Sequence, residues 1–511
     1  MPNAAETDPS DRPRPATTPR PSAPGFRVLG KISPWLIRVG PTALTFASCA
    51  YDVTARQPWR DELSTWWAVQ LSPSDLFRLL GHVDAVLGLY YILMHGWTTL
   101  FGDSVFALRL PSLLLMALST WLIQYLSTRQ FGVRAGVFAG LAFAVIPNIT
   151  AYGQEARPYA LAVCAALLST LALLRAREQP GETRRWILYA GSVVLLGYSH
   201  VVSLCLLFAH AALMAPELWP SGKLWPPGKP SGRRWVLATG AGLLLVVPLV
   251  MMALRESSAV DWIRADWKHI QALPGNLFHS QFIAGTFIAL GLLGLVKSAP
   301  LARLLGVWAL FPPLFLLATF DLLHLFLDRY MLFTLPAWAV LTGVAVAAVT
   351  EPGSSRWRLI PLGAVLLWFA VLGQHGIRDQ VPRYAFDYRS SFVYIMDHAR
   401  EGDAIALEAQ YPEGHLRLAY RYWLRHEPHL LRDVFVETDA SARGSFEAAL
   451  CKNARACLPE NVERLWLVTA TPKKDLFSRI PKSRADLLRS QFEVDSVHSA
   501  QRIRTALLVR R

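Results

Sequence analysis

Apolar runs recur from residue 34 to residue 374 and are separated by short polar breaks. A hydrocarbon core ~30 Å thick takes about 20 helical residues to cross, so runs of roughly that size are read as membrane spans. They occur at 34–52, 105–127, 134–151, 158–174, 186–198, 201–219, 235–254, 281–296, 301–320, 331–349 and 358–374, which predicts eleven spans. The fifth and sixth are almost continuous through Tyr198, Ser199 and His200. Charged residues make up only 17% of the 511, against about 25% in soluble domains. Soluble globular, collagen-like, coiled-coil and wholly disordered chains are thereby excluded. The 18 Trp, 15 Tyr and 24 Phe suit a protein with aromatic side chains at the water–lipid boundary.

The formal charge of +14 lies in short clusters between apolar runs rather than in a stripe, which points to membrane topology and away from nucleic acid. Residues 1–30 begin with a Pro-, Ser- and Arg-rich stretch with few large apolar side chains, and are expected to be a disordered cytoplasmic tail. No short apolar region with a cleavage site marks it as a secretory signal. The segment Ala85–Phe101 is apolar enough to be counted as a further span. If it lies along the interface, the tail shares one side with Arg129 and Arg134, Arg175 to Arg185, Lys223 to Arg234, Lys297 and Arg303, and Arg356 and Arg358. All basic clusters then face the cytoplasm, so an in-plane amphipathic helix is expected there.

An eleven-span chain that starts inside ends outside. The external face then collects Asp52, Asp61, Glu62, Asp75, Asp84, Glu155, Glu256, Asp261, Asp266, Asp321 and Asp328. Beyond Gln374 the composition turns polar, with strand patterns at Ala404–Leu407, Leu465–Val468 and Thr505–Val509 and a helix near Ser391–Ala399. The expected organisation is therefore a tail (1–30), an α-helical polytopic membrane domain (31–375) and a small extracytoplasmic α/β domain (376–511).

Chemistry is expected in the external loops. Arg60-Asp61-Glu62 follows the first span; a partly desolvated Asp there suits a general base, although an acidic pair solvated at the surface has the same spacing. Tyr152-Gly-Gln-Glu155-Ala-Arg157-Pro-Tyr159 places an Arg at a helix start, where amides and guanidinium together favour an anion. A snorkelling Arg paired with Glu155 is the alternative. Asp328-Arg329-Tyr330 gives a second Arg at similar depth. Tyr198 and His200 lie at the turn between the fifth and sixth spans, and Trp262 and Trp267, with Asp261 and Asp266, furnish another loop with groups suited to a sugar.

The order of these motifs resembles the GT-C glycosyltransferases, in particular the family 39-like branch with the protein O-mannosyltransferases and the aminoarabinose transferase of lipid A. The resemblance is carried by Asp61-Glu62, His95-Gly-Trp97 through Gly102-Asp-Ser104, Arg109-Leu-Pro-Ser112, Gln154-Glu155-Ala-Arg157-Pro-Tyr159, Ser199-His200 and Asp328-Arg329-Tyr330. It covers most of 34–375. A set of actinobacterial sequences labelled mannosyltransferases also shares His82-Val-Asp84 through Tyr90-Tyr91, Asp387-Tyr-Arg389 and Gly402-Asp403. Where relatives commonly have His-Pro-Pro, this chain has His82-Val-Asp84-Ala.

The resemblance implies transfer of a sugar, mannose as the first choice, from a polyprenyl-phosphate carrier to a cell-envelope hydroxyl, with inversion, at the outer face of the cytoplasmic membrane. Asp61 would take the acceptor proton, Glu62 would position Asp61 or the acceptor, and Arg157 and Arg329 would hold the departing phosphate. Glu155, Tyr159, Tyr198, His200, Tyr330, Asp84, Tyr91 and His95 are further candidates for touching donor or acceptor. The acceptor class, whether glycan, lipid or protein, stays open. No cofactor is called for; other GT-C branches use a divalent metal, but no convincing ligand set is visible and none is expected here. A transporter or flippase of a lipid-linked substrate, or a passive membrane scaffold, are the readings from other classes. Cys451 and Cys457, close in sequence and in an oxidising compartment by this topology, are expected to form a disulfide.

Overall fold

In the computed structural model, residues 34–218, 230–299, 301–350, 385–408, 415–427, 431–471 and 475–511 are described, with the isolated residues 364, 368, 374, 377 and 473. The tail, the eleventh expected span (358–374) and the boundary near 375 fall outside them or nearly so. Every earlier expected span coincides with helix: α1 Pro34–Ala50, α5 Val105–Phe131, α6 Val133–Val145 with α7 Pro147–Gly153, α8 Tyr159–Glu178, α9 Thr183–Ser199, α10 Leu206–Leu218, α11 Pro230–Arg255, α13 Gln281–Lys297, α14 Ala302–Ala318 and the helix Leu335–Val349. Among the described residues five helical segments are long and apolar enough to cross a membrane, or up to seven if each of two bent pairs is one span.

The bends have local causes. Between α6 and α7 the axis turns by 65° at Pro147, whose ring takes the first position of the new helix and supplies no N–H to the old one. Helix α12, Trp267–Phe278, meets α13 at 80° through His279, which sits in the left-handed region at φ 68°.

The connection between α1 and α5 is structured. It contains α2 Arg60–Gln70, α3 Pro73–Leu80 and, after a 3-10 turn at Ala85–Leu87, α4 Gly88–Phe101. The 14 residues of α4 are fewer than the roughly 20 a span requires. Tyr90, Tyr91 and Met94 are buried against the protein, while Ile92, Leu93, Leu100 and Phe101 are exposed. The outer side of this helix is thus apolar, not polar as an amphipathic helix in water would be, and suits contact with lipid.

Transmembrane packing relies on small residues. A Cβ at Gly343 would come within 2.5 Å of the Ala139 backbone nitrogen on α6, so the helix Leu335–Val349 and α6 touch backbone to backbone.

The C-terminal chain forms a five-stranded sheet in the order β2-β1-β5-β7-β6. Strands β1 (Ala404–Glu408), β2 (Arg432–Asp433) and β5 (Arg464–Thr469) are parallel, and β6 (Phe492–Ala500) and β7 (Ile503–Arg510) add antiparallel. Its central strands are buried on both faces, which accounts for the continuous apolar run of β5. Trp466 is fully buried and donates from Nε1 to Asp403 at 2.9 Å. Cys451 and Cys457 are joined in a disulfide.

This domain sits on the connection between α1 and α5. Trp66 packs edge-on to Tyr422 at 5.2 Å, the Arg421 guanidinium lies 4.7 Å over Trp67, and Arg425 pairs with Asp103 at 3.4 Å. The side-chain amide of Gln57 donates to the Phe386 carbonyl at 2.8 Å and accepts from the Arg389 N–H at 3.0 Å. Overpacking a core contact costs typically about 1–3 kcal/mol. Gly343→Val should therefore lower the melting temperature of the detergent-purified protein by several degrees, while Gly240→Val on α11, where a Cβ meets nothing, should not.

Candidate functional site

The site is built outward from one buried ion pair. Arg109, in the apolar run of α5, donates from Nε and Nη2 to the two oxygens of Glu62 at 2.8 and 2.7 Å. Its Nη1 donates to the carbonyls of Val53 and Arg56, and Glu62 also accepts the Ala156 N–H at 2.9 Å. Both residues are essentially inaccessible, at 1% and 2% exposure. The loop after α1, the first turn of α2 and the turn between α7 and α8 are thereby held together.

Asp61 is the neighbour of Glu62 in that turn, and it faces a group of cations. Its Oδ1 lies 3.3 Å from Arg60 Nε and its Oδ2 3.7 Å from Arg329 Nη2. Arg157 donates to the Asp61 carbonyl at 3.4 Å. Arg329 is in turn flanked by the Trp59 and Trp262 rings, at 5.7 and 5.8 Å. Beyond it, His200 packs 4.7 Å from Tyr330 and 6.0 Å from Tyr159, which is edge-on to Tyr152 at 5.3 Å. Asp84, in the left-handed region at φ 57°, accepts from Tyr91 Oη at 2.8 Å.

The structure thus gathers Asp61, Glu62, Asp84, Tyr91, Glu155, Arg157, Tyr159, His200, Arg329 and Tyr330 around one locus. Two candidates are engaged elsewhere. Tyr198 donates to the Leu245 carbonyl at 3.3 Å, and His95 bonds the Val69 carbonyl at 3.0 Å. Among the described residues no cluster of three His, Cys, Asp or Glu side chains is placed to hold a metal ion, so no step is assigned to one.

Electrostatics separates the acids. Burial alone would raise the Asp61 carboxyl, but the guanidiniums of Arg157, Arg329 and Arg60 outweigh it and hold Asp61 below the ordinary value. Glu155 is buried without such dominance and is repelled by Glu62, which pushes it up to about 7. Burial and then Arg157 and Arg329 press His200 down to about 4, so its ring is neutral near pH 7. Asp84 is raised, chiefly by burial.

Several buried polar atoms here lack a partner among the described residues: Nε of Arg56, Arg157 and Arg329, Nδ1 of His200 and Oε1 of Glu155. A lone buried orphan costs about 1–3 kcal/mol. Several of them in one buried, charged region is the form expected of a site that receives an anionic, polar ligand.

Sequence reasoning undervalued Arg109 and Arg56. The signal for Arg109 was present, since an Arg inside a 23-residue apolar run must have a partner or a purpose. Arg56 gave no such signal.

Residues 88–223 match the family model described as dolichyl-phosphate-mannose-protein mannosyltransferase. Among solved structures, ArnT from Cupriavidus metallidurans bound to undecaprenyl phosphate superposes with a TM-score of 0.56 at 14% identity, over 93% of this chain and 98% of that one. The apo form of ArnT gives 0.58 at 14% identity, over 94% and 98%. The chain has the GT-C fold. No curated protein matches it. The GT-C fold makes this a multi-pass membrane protein, with a small sheet domain at its C-terminal end.

A carboxyl raised in the folded state binds its proton more tightly there than when unfolded. Glu155 therefore contributes stability that is complete below its ordinary value of 4.5 and is lost as pH rises through about 7. Glu155→Gln should gain in melting temperature relative to the parent as pH goes from 5 to 8; a difference independent of pH would show that this carboxyl is not the titrating group.

Proposed function

We propose that the chain is a glycosyltransferase that moves a sugar, with mannose the first candidate, from a polyprenyl-phosphate carrier to an acceptor hydroxyl with inversion. The reaction is placed at the outer face of the cytoplasmic membrane, with the N-terminus inside and the C-terminal domain outside. The observation that carries this reading is the pair of guanidiniums, Arg157 and Arg329, which reach the Asp61 backbone carbonyl and the Asp61 carboxylate respectively and each keep a buried Nε without a partner among the described residues. The matched family description names mannose carried on dolichyl phosphate, and ArnT was solved with undecaprenyl phosphate. Both support a lipid-phosphate donor here.

In this reading the phosphate of the donor lies against Arg157 and Arg329. The acceptor oxygen attacks the anomeric carbon, the bond from that carbon to the phosphate oxygen breaks, and the electron pair leaves on the lipid phosphate. Preorganised cations stabilise the charge that develops there. The acceptor proton passes to Asp61. Asp61 is a weak base while both arginines act on it alone; a bound phosphate offsets their field and strengthens it. Glu62 positions Asp61 through the Arg109 clamp, and Glu155, pushed up to about 7 and so about half protonated near neutrality, can donate a hydrogen bond to phosphate or sugar in its protonated form. Tyr159, His200 and Tyr330 line the donor side, and Asp84 and Tyr91 belong to the same locus. A passive scaffold would leave the unpartnered Nε atoms of these arginines without a purpose.

Asp61→Asn should fold normally and lose transfer from polyprenyl-phosphate mannose by about 10²–10⁴-fold, the range of a general base; an active, purified variant would remove Asp61 from that role. A charge-assisted hydrogen bond is worth about 1.5–3 kcal/mol. Arg157→Ala should accordingly weaken donor binding by roughly 10- to 100-fold, as read by titration of the purified protein with undecaprenyl phosphate.

A further inference from the structure

Helices α9 and α11 begin with the same pattern, Arg184-Arg185-Trp186-Ile187-Leu188 in one and Arg233-Arg234-Trp235-Val236-Leu237 in the other. The two helices are neighbours and run parallel. A Cβ on Gly242 would come within 2.9 Å of Val193 Cβ, and one on Gly197 within 2.7 Å of Val246 Cγ1. The residue numbers in each of these contacts differ by 49, as do those of Arg184 and Arg233, so the two copies of the pattern stand side by side at one height.

Within each copy the positions divide. The second Arg and the Trp turn inward. Trp186 is buried and donates from Nε1 to the Pro180 carbonyl at 3.0 Å, and Arg234 reaches the same carbonyl. Arg185 donates to the Arg175 carbonyl at 2.9 Å, and buried Trp235 donates to Tyr189 Oη at 3.1 Å. The first Arg and the aliphatic pair turn outward: Arg184 and Arg233 are exposed, as are Ile187, Leu188, Val236 and Leu237. Residues three and four apart share a helix face, so each outward guanidinium lies one turn from an exposed aliphatic ledge on its own helix. The carboxylates nearby are engaged, Glu178 with Arg129, Glu182 with Arg185 and Glu217 with Arg177. Neither Arg184 nor Arg233 has a carboxylate partner among the described residues.

This end of the bundle is remote from the Asp61 locus. Arg184 precedes His200 by 16 residues of nearly continuous helix, about 24 Å at 1.5 Å per residue, which puts the two near opposite faces of a hydrocarbon core ~30 Å thick. Packed helices lie about 8–10 Å apart, a gap that two arginine side chains can close around one phosphodiester. We propose that Arg184 and Arg233 seat the phosphate of an anionic phospholipid, whose acyl chains lie along the ledges Ile187-Leu188 and Val236-Leu237. Two helix N-termini at the same height add their positive ends to the seat. Topology alone calls only for positive charge here; it does not call for matched register, free guanidiniums and paired ledges. A soluble anion would use the cations and leave the ledges idle. The proposal is independent of the transferase reading.

The test is native mass spectrometry of the full-length, detergent-purified protein titrated with phosphatidylglycerol or with phosphatidylcholine of the same chains. The parent should bind phosphatidylglycerol at least about tenfold more tightly. A basic residue at a lipid headgroup is worth about a fivefold change in affinity, so Arg184→Gln and Arg233→Gln should each weaken phosphatidylglycerol binding by about that much and the double variant by about ten- to thirtyfold. Phosphatidylcholine binding and the lipid-free melting temperature should not change. The control Lys297→Gln/Arg303→Gln removes the same charge at the same end and should keep the parent's affinity. Equal loss in the control would reduce the effect to general surface charge and overturn the seat, as would undiminished binding by the double variant or equal affinity of the parent for both lipids. A melting temperature lowered by several degrees in the double variant would make the pair structural and overturn it as well. Displacement of the lipid by an equal concentration of glycerol phosphate would overturn the assignment to a phospholipid in favour of a free anion.

Discussion

The Arg109–Glu62 pair is the constraint from which the geometry of the site follows. Desolvating two ions costs several kcal/mol apiece, and their attraction offsets this only if the remaining donors and acceptors are also satisfied. Here they are: Arg109 reaches both carboxylate oxygens and two carbonyls, and Glu62 takes the Ala156 N–H as well. A span, a helix start and two loops are fixed relative to one another by this arrangement. Asp61 inherits its place from that arrangement, one residue along from the clamp.

The same residue types behave differently a few ångströms away. The clamp is fully paired and inaccessible, whereas Arg157 and Arg329 keep Nε atoms without a partner among the described residues. The neighbouring groups titrate so as to preserve that excess of positive charge: Glu155 is held near its midpoint at neutrality and His200 is kept neutral. Neither one cancels nor adds a full charge at the locus. An entering anion therefore meets guanidiniums whose fields are only partly balanced, at a depth where water screens them poorly.

Much of the architecture was legible in the chain. Hydropathy located each described span, because length and apolarity suffice for that, and the Leu-Trp-Leu-Val run of β5 announced a buried strand. Hydropathy did not reveal the break at Pro147, which turns one apparent span into two helices, nor that the outer face of Gly88–Phe101 is apolar. Loop motifs named Asp61, Arg157 and Arg329 as residue types suited to the chemistry. They also named Tyr198 and His95, whose side chains bond the carbonyls of Leu245 and Val69, since a turn position and a motif position do not say which way a side chain points. The docking of the segment around Tyr388 was beyond reach: its link to the Asp61 loop runs through Gln57, and that contact joins residues 332 apart in sequence.

Gln57 has a consequence of another kind. A single carboxamide grips the polypeptide on either side of Tyr388, with Trp66, Trp67 and Asp103 supplying the bed beneath. The C-terminal domain is consequently not a detachable module appended to a self-sufficient core: exchanging it for another would require the segment around residue 57 to travel with it.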